Sequence, residues 1–214
     1  MIELIVFLGN PGPQYERTRH NAAWLLAEQL PFYPSLNWQK KYRGLYASVE
    51  TEGLVPRTED QAAGLSRKLH LLKPQTYMNV SGESAAQAAG FFKIKTESIL
   101  VVHDELELAP GVVSFKFSGG LGGHNGLRSL KACLGSADFW RLRIGIGRPD
   151  SRQPGQGGPP GSGEGIIDWV LSPFRPAEIP LLEETLTAAA GALVTALARG
   201  PESLLPGWAK RKVV

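Results

Sequence analysis

Apolar and polar residues follow one another along the chain with the periods of strands and of helices. Residues 2–8 form an apolar run that ends at Gly9 and Pro11, which is typical of a buried strand. Further strands are predicted at 44–50, 68–73, 98–102, 112–117 and 140–146. Helical spacing of apolar residues predicts helices at 20–30, 81–92, 126–134 and 176–199. This alternation predicts an α/β fold, with a mostly parallel or mixed sheet and helices on both faces.

Two segments interrupt the pattern. Residues 51–67 are polar and could form a loose hairpin, and residues 149–165 are rich in glycine and proline. We expect both to be mobile surface loops, and too little chain follows the second for it to be a domain linker. The sequence has no internal repeat, so we expect a single domain over residues 1–214.

The composition is that of an ordinary globular protein, with 43% apolar and 20% charged residues. A net charge of +3 and a pI of about 9.0 permit a nucleic-acid partner without requiring one. The one cysteine, Cys133, excludes an internal disulfide and a cysteine metal cluster. We expect it to be a small apolar core residue on a helix.

The ends of the chain indicate a cytoplasmic protein with no membrane partner. The N-terminus has no basic region before its apolar run, so it predicts a strand rather than a signal peptide. The longest apolar stretch near the C-terminus, Ala188 to Ala198, is shorter than the ~20 residues that span a bilayer.

Polar side chains follow four of the predicted strands. They are Asn10 and His20 after the first strand, Asn79 after residues 68–73, Asp104 after residues 98–102, and His124 and Asn125 after residues 112–117. Ligands of open α/β sheets bind beyond the carboxyl ends of the strands. Amides, imidazoles and a carboxylate at such ends predict a site that polarises a carbonyl group and activates water.

His20 is the candidate general base and Asp104 the candidate carboxylate that orients it. The alternatives stay open at this point. His20 could be a helix-start residue without a role, and the local sequence HDELELAPG favours a turn or N-cap role for Asp104. The asparagines could hold a substrate carbonyl or an oxyanion, although asparagine is also a common turn residue.

Metal catalysis and covalent catalysis are not expected. His103, Asp104 and Glu105 are consecutive, but neighbours on a strand point to opposite faces. The sequence has no HExxH motif, no cluster of carboxylates and no GxSxG motif. We therefore predict no metal and no cofactor.

A glycine-rich segment, SGGLGGHNGLRS, could bring backbone N–H groups to an anion at a helix N-terminus. It lacks the GK[ST] ending of a P-loop, so nucleotide hydrolysis is not expected. Basic residues near it suit a phosphate backbone, although each one alone could be a solvated charge. These residues are Lys116, Arg128, Lys131, Arg141, Arg143 and Arg148, and the tail adds Lys210, Arg211 and Lys212. For the tail, a solvated end is the simpler interpretation.

Five blocks stand in order along the sequence: GNPGPQYERTRHN, KPQTYMNVSG, HDELELAPG, GGHNGLRSL and FWRLRIGIGRP, and WVLSPF follows them. Together they resemble the signature motifs of bacterial-type peptidyl-tRNA hydrolases. The resemblance covers most of the chain. It implies a single-domain α/β/α sandwich around a twisted mixed sheet. It also implies hydrolysis of the ester between a peptide and tRNA by an activated water, by a monomer that binds the acceptor end of peptidyl-tRNA.

The resemblance also implies roles for individual residues. His20 looks like the catalytic base and Asp104 like the carboxylate that orients it. Asn10 and Asn79 resemble amides that hold the substrate near the scissile bond. Asn125, with His124 beside it, resembles the amide that positions water or the terminal adenosine. The remaining matches are the site-wall residues Tyr15 and Met78 and the phosphate-binding residues Lys116 and Arg143.

The sequence departs from the family pattern at two positions. Ala23 stands where the family often has glycine, and Ser114 stands where a second lysine is sometimes found, which predicts weaker phosphate binding. Two other functions remain open. One is a non-catalytic RNA-binding protein on the same fold, and the other is an esterase for small molecules.

Overall fold

The computed structural model describes residues 1–51, 68–149 and 163–213. Among these residues, eight strands form one sheet. The strands are β1 (Leu4–Phe7), β2 (Gln39–Lys41), β3 (Gly44–Glu50), β4 (Lys68–Pro74), β5 (Ile99–Glu105), β6 (Val112–Phe117), β7 (Trp140–Gly145) and β8 (Arg211–Lys212). Their order across the sheet is β2-β3-β4-β1-β5-β7-β6-β8.

The centre of the sheet is parallel and both edges are antiparallel. β1 pairs in parallel with β4 and β5, and β5 pairs in parallel with β7. β2 and β3 at one edge, and β6 and β8 at the other, run antiparallel to their neighbours. The predicted mixed sheet is confirmed, and its parallel part consists of these four central strands. Their carboxyl ends lie along one side of the sheet, where α/β proteins bind ligands.

Helices cover both faces of the sheet, as predicted. In the described part of the chain they are α1 (Ala22–Glu28), α2 (Ser81–Phe92), α3 (Asn125–Leu134), α4 (Gly163–Leu171), α5 (Ile179–Arg199) and α6 (Leu205–Trp208). Ile5 and Phe7 of β1 pack with α1 and α5 on one face. Leu4 and Val6 pack with α2 and α3 on the other. All of β1 is buried because both of its faces are covered, which explains its continuous apolar sequence.

Helix α5 and the turn before it, Pro176–Arg199, are long and apolar enough to cross a membrane by length and composition. This segment is longer than the apolar stretch recognised in the sequence. In the fold, Leu186, Ala189 and Leu193 of α5 are buried against the sheet in the same core as α1. This packing is that of a core helix in a soluble protein.

Several local expectations differ from the structure. Asp104 lies within β5 rather than in a turn or at an N-cap, because the strand continues to Glu105. The prediction of a buried Cys133 is wrong: its side chain is exposed, because α3 buries only residues nearer its N-terminus. The short strands β2 and β8 and the helix α4 were not predicted. The two expected loops, 51–67 and 149–165, lie almost entirely outside the described residues, although α4 already begins at Gly163.

Candidate active site

Three neighbouring parallel strands bring predicted site residues close together at their carboxyl ends. Asn10 follows β1, Met78 follows β4 and Asp104 lies near the end of β5. β1 pairs with both of the other strands, so their carboxyl ends are adjacent. A 3-10 turn, Arg19–Asn21, places His20 directly before α1, and His124 directly precedes α3.

The structure brings two histidines onto one carboxylate oxygen. Nδ1 of His20 lies 2.8 Å from Oδ1 of Asp104, and Nε2 of His124 lies 3.1 Å from the same atom. The two imidazole rings are tilted, with 5.0 Å between their centroids. Asp104 is buried, whereas the His20 side chain keeps 11% of its surface exposed. The carboxylate is therefore closed off, and the two histidines, each exposed by about a tenth of its side chain, separate it from solvent.

The hydrogen-bond partners assign the proton positions on both rings. Nδ1 of His124 accepts hydrogen bonds from the backbone N–H groups of Gly126 and Leu127, at 3.1 and 3.4 Å. Its proton is therefore on Nε2, from which it donates to Asp104. Nδ1 of His20 donates to the ionised Asp104, which leaves the lone pair of neutral His20 on Nε2. That nitrogen is the one available to take a proton from water.

The charges of the site shift two pKa values in opposite directions. Burial opposes ionisation of Asp104, but the charge of His20 and the hydrogen bonds of His124 and His20 hold the pKa of its carboxyl far below the usual range. Burial opposes protonation of His20, but the charge of Asp104 and its hydrogen bond raise the pKa of the imidazole above its ordinary value of 6.5. Asp104 is thus a permanent anion, and its charge favours the protonated form of His20.

Asn10 is held in place through its backbone and its side-chain oxygen. Its N–H donates to Oδ1 of Asn21 at 2.9 Å, and Nδ2 of Asn21 donates to its carbonyl oxygen at 3.0 Å. The N–H of Met78 donates to Oδ1 of Asn10 at 2.8 Å. These contacts leave Nδ2 of Asn10 as a donor for a ligand. Asn21 was not predicted as a site residue, although its position directly after His20 is a signal that could have suggested it.

Close packing fixes Met78 against the start of α3. A Cβ atom on Gly126 would lie 2.6 Å from Sδ of Met78 and 2.8 Å from a methyl group of Leu8. Only glycine allows the helix to approach this closely. The buried Met78 is therefore a wall of the region that also contains His124.

Three predicted site residues lie further outside this cluster. Asn79 and Asn125 are exposed at the beginnings of helical segments, and Tyr15 is half-buried in a turn after β1. Within the described residues, none of their side chains hydrogen bonds to His20 or Asp104. The structure therefore brings together His20, Asp104, His124, Asn10 and Met78, but it gives these three side chains no contact that defines a role.

Arg19 anchors the turn that carries His20, and sequence reasoning missed it. Its guanidinium group is buried and donates to Glu178 at 2.7 Å, to Oγ of Ser172 at 2.7 Å and to the carbonyl oxygen of Pro173 at 2.6 Å. It also stacks over the ring of Trp169, with 3.7 Å to the centroid. The turn is thereby attached to the junction between α4 and α5.

The predicted phosphate-binding residues differ in their freedom. Arg143 donates to Oγ of Ser114 at 2.8 Å and to Glu105 at 3.4 Å, so its guanidinium group is partly engaged. Ser114 is buried and also donates to the carbonyl oxygen of Ala209 in the C-terminal segment. The half-buried Lys116 forms no ion pair with any residue that the structure describes.

Arg141 holds the glycine-rich loop. Its two terminal nitrogens donate to the carbonyl oxygens of Gly120 and Gly119 at 2.7 and 2.8 Å. A Cβ atom on Gly119 would lie 2.6 Å from Nζ of Lys116, so the loop passes close to this ammonium group. The glycine-rich loop, Arg141 and Lys116 thus pack together beside β6 and β7.

His20, Asp104 and His124 are also the group best placed to bind a metal ion, since their ligand atoms lie within 4.8 Å of one another. In the hydrogen-bonding pattern above, protons occupy the positions between the two nitrogens and Oδ1. A metal bound by Nε2 of His124 would need that ring to give up its proton or to lose its bonds with Gly126 and Leu127. The arrangement favours a proton network over a metal centre.

A mixed α/β sheet with a histidine–carboxylate pair beyond its parallel strands is an arrangement that suits an enzyme of the α/β class. Comparisons with known proteins identify the family. The family model described as peptidyl-tRNA hydrolase matches residues 4–213. The chain belongs to this family of ester hydrolases.

Individual relatives agree over nearly the whole chain. The peptidyl-tRNA hydrolase of Treponema pallidum (strain Nichols) is 47% identical over 218 aligned residues, covering 100% of this chain and 97% of that protein. The peptidyl-tRNA hydrolase of Delftia acidovorans is 44% identical over 87% of this chain and 79% of its own length. A crystal structure of the Acinetobacter baumannii peptidyl-tRNA hydrolase superposes with a TM-score of 0.77, at 33% identity, covering 100% of this chain and 97% of that one.

Proposed function

We propose that this site hydrolyses the ester between a peptide, or an N-blocked amino acid, and the 3′ ribose of tRNA. Nε2 of His20 takes a proton from a water molecule while the water oxygen attacks the ester carbonyl carbon. When the tetrahedral intermediate collapses, the bond to the ribose oxygen breaks and that oxygen receives the proton from His20. The products are the free peptide and a free tRNA that can be used again in translation.

The hydrogen bond between Nδ1 of His20 and Oδ1 of Asp104 is the observation that carries this proposal. It fixes the orientation of the imidazole and leaves Nε2 free to accept a proton. The adjacent anion stabilises the imidazolium that forms when water is deprotonated. In this role Asp104 keeps its charge throughout, which agrees with the depressed pKa of its carboxyl.

Amide groups are proposed to hold the ester. Nδ2 of Asn10 is the best supported donor for the developing oxyanion, since Met78 and Asn21 occupy the other polar atoms of Asn10. Asn79 and Asn125 would bind the substrate near the scissile bond and the terminal adenosine. Their side chains are exposed and thus accessible to a ligand.

The remaining substrate contacts are proposed to lie further from the reacting centre. Tyr15, Met78 and His124 would form the walls of the site, and Lys116 and Arg143 would take phosphates of the tRNA. No metal or cofactor is needed in this mechanism, because His20 supplies the base and the protons already satisfy Asp104. We further propose that the protein is a single-domain monomer, since one chain supplies His20, Asp104 and His124. We also propose that it acts in the cytoplasm.

The decisive experiment follows the release of N-acetyl-aminoacyl groups from tRNA in excess chelator, with the wild type and His20→Gln side by side. We expect chelator-resistant turnover that falls by about 10²–10⁴-fold in the variant, while the affinity for tRNA changes little. Arg17→Gln, an exposed substitution close to His20 in sequence, is the control and should keep wild-type turnover.

Other outcomes would replace the proposal. Loss of wild-type turnover in chelator, with recovery on adding metal, would require a metal mechanism. Tight tRNA binding without turnover would indicate a non-catalytic RNA-binding protein. Equal turnover of a simple ester without tRNA would indicate a general esterase.

A further inference from the structure

Both nitrogens of His124 are committed to protein groups. Nε2 donates to Oδ1 of Asp104, and Nδ1 accepts the N–H groups of Gly126 and Leu127 as the N-cap of α3. Only the neutral ring with its proton on Nε2 satisfies these contacts. A second proton, on Nδ1, would face two backbone donors and abolish the helix cap.

We propose that His124 is a positioning residue that links the start of α3 to Asp104 and thereby fixes the carboxylate that orients His20. This role rests on the function proposed above and adds the orientation of Asp104 to the place of His124 in the wall of the site. His124 supplies the second N–H to Oδ1, so it fixes the acceptor that in turn orients His20.

The charges around His124 come from three parts of the fold. Asp104 and His103 lie on β5, His20 lies in the turn before α1, and Arg141 lies on β7. Nδ1 of His103 donates to the backbone oxygen of Asp104 at 2.7 Å. Burial, with the neighbouring Arg141, holds the pKa of His103 well below 6.5, so His103 does not compete for the proton. Asn10 and Met78 add no charge.

The variant His124→Asn separates the two contacts of the ring. Asparagine is a good N-cap, so it can still accept the N–H groups at the start of α3. Its side chain is too short to reach Asp104. With one donor fewer, Oδ1 attracts the His20 proton more strongly, which raises the pKa of His20. The acid limb of kcat/KM should move to higher pH by roughly half a unit to one unit.

His124→Ala is the matched variant, because it removes the cap as well as the donor. We expect it to unfold at lower urea concentration than the wild type, whereas His124→Asn should unfold close to the wild-type midpoint. An unchanged acid limb in a stable His124→Asn protein would overturn the proposal.

Imidazole nitrogen NMR tests the same role without any substrate. In the wild-type protein with both rings neutral, His124 should carry its proton on Nε2 and none on Nδ1, as its hydrogen bonds require. A neutral His124 with its proton on Nδ1 would overturn the proposal. Because this measurement needs no turnover, it remains decisive if the protein fails to hydrolyse peptidyl-tRNA.

An independent observation concerns the basic edge of the sheet. Directly paired residues of antiparallel strands share a face of the sheet. Lys212 of β8 pairs with Val112 of β6, and Lys116 of β6 pairs with Arg141 of β7. Val112 and Lys116 are four residues apart on one strand and therefore share a face. Lys212, Lys116 and Arg141 thus lie on the same face.

This face lies opposite the core formed with α1 and α5, which buries the alternate residues Val113 and Phe115. The core on the face of α2 and α3 ends at β5 and contains no buried residue of β6. Lys212 is exposed, and like Lys116 it forms no ion pair with a described residue. Two cations without partners therefore project from a part of the sheet that the second core leaves open.

We infer that Lys212 extends the phosphate-binding face proposed for Lys116 and contacts the backbone of the tRNA beyond its reacting 3′ end. β8 thereby adds a third strand to the basic region formed by β6 and β7. This region is close to the site, because Arg143 of β7 pairs with His103 of β5, which is next to Asp104. The inference rests on the proposed function for its choice of ligand, since a polyanion is what uncompensated lysines attract.

The test is the salt dependence of the Kd for deacylated tRNA, measured for Lys212→Gln and for Lys40→Gln at the opposite edge of the sheet. Lys212→Gln should reduce the slope of log Kd against log salt by about 0.7–0.9, as expected for one lost phosphate contact. Lys40→Gln and Lys212→Arg should keep the wild-type slope. The inference fails if Lys212→Gln keeps it too. This binding assay gives its answer whether or not the protein hydrolyses peptidyl-tRNA.

Discussion

Asp104 accepts N–H groups from two histidines on one oxygen, and its chemistry in the site depends on its charge. We predict that Asp104→Asn lowers kcat by about 10²–10⁴-fold with little change in KM. The amide oxygen can still accept hydrogen bonds, but it carries no charge to stabilise the imidazolium of His20. Steady-state kinetics on N-acetyl-aminoacyl-tRNA measure both constants. A rise in KM at unchanged kcat would mean that Asp104 serves binding rather than catalysis.

The raised pKa of His20 predicts opposite pH trends for activity and stability. Activity needs the neutral ring, so kcat/KM should fall as pH decreases through a value above 6.5. The protonated ring is stabilised by Asp104 in the fold. This extra stability is fully present below 6.5 and is lost as pH rises through the folded pKa. Urea unfolding across this interval measures the second trend.

His20→Gln is the control for the pH prediction. Without a titrating group at position 20, the contribution of this group to the pH dependence of unfolding should disappear. If His20→Gln and the wild type lose the same free energy of unfolding as pH rises from 6.5 through the folded pKa of His20, another group causes this pH dependence.

At the residue scale, the sequence indicated His20, Asp104, Asn10 and Met78 because their positions after strands and the family motifs agreed. It could not show that His124 bonds to Asp104, since that contact depends on the packing of α3 against β5. The local sequence around Asp104 favoured a turn, because nothing there reveals that β7 extends the strand's pairing to Glu105.

At the element scale, Arg19 connects the His20 turn with the junction of α4 and α5. We predict that Arg19→Lys destabilises the protein by roughly 2–4 kcal/mol, because lysine lacks the planar group that serves Glu178, Ser172 and Pro173 together. Urea unfolding measures the loss. Arg17→Lys in the same segment is exposed and should unfold like the wild type. Equal stability of both variants would contradict the prediction.

The elements that the sequence missed are short or lie beside unusual composition. β2 and β8 have three and two residues, which is too few for a period to be detected. Helix α4 begins at Gly163, within the glycine- and proline-rich segment that was taken as a loop. The longer helices and the central strands were predicted because their periodicity extends over several turns or matches a continuous buried run.

At the scale of the whole molecule, alternating strands and helices predicted one sheet covered on both faces, but not its order. The four central strands are parallel, whereas β6 runs antiparallel to β7 although α3 joins them, and a C-terminal segment returns to pair with β6. That return also corrects the interpretation of the tail as a solvated end, because Arg211 and Lys212 pair with β6.

The pairing of the tail leads to a prediction about the whole sheet. Removing residues 209–214 should lower stability by roughly 1–3 kcal/mol, because the N–H of Val213 donates to Gly111 at 2.8 Å and its side chain packs on the core. β6 would then become an open edge, so the truncated protein should also self-associate as its concentration rises. Urea unfolding and analytical ultracentrifugation measure the two effects. Lys212→Gln keeps the backbone pairing of β8, so its stability and its self-association should equal those of the wild type. If this variant loses as much stability as the truncated protein, the side chain of Lys212 rather than the strand causes the effect.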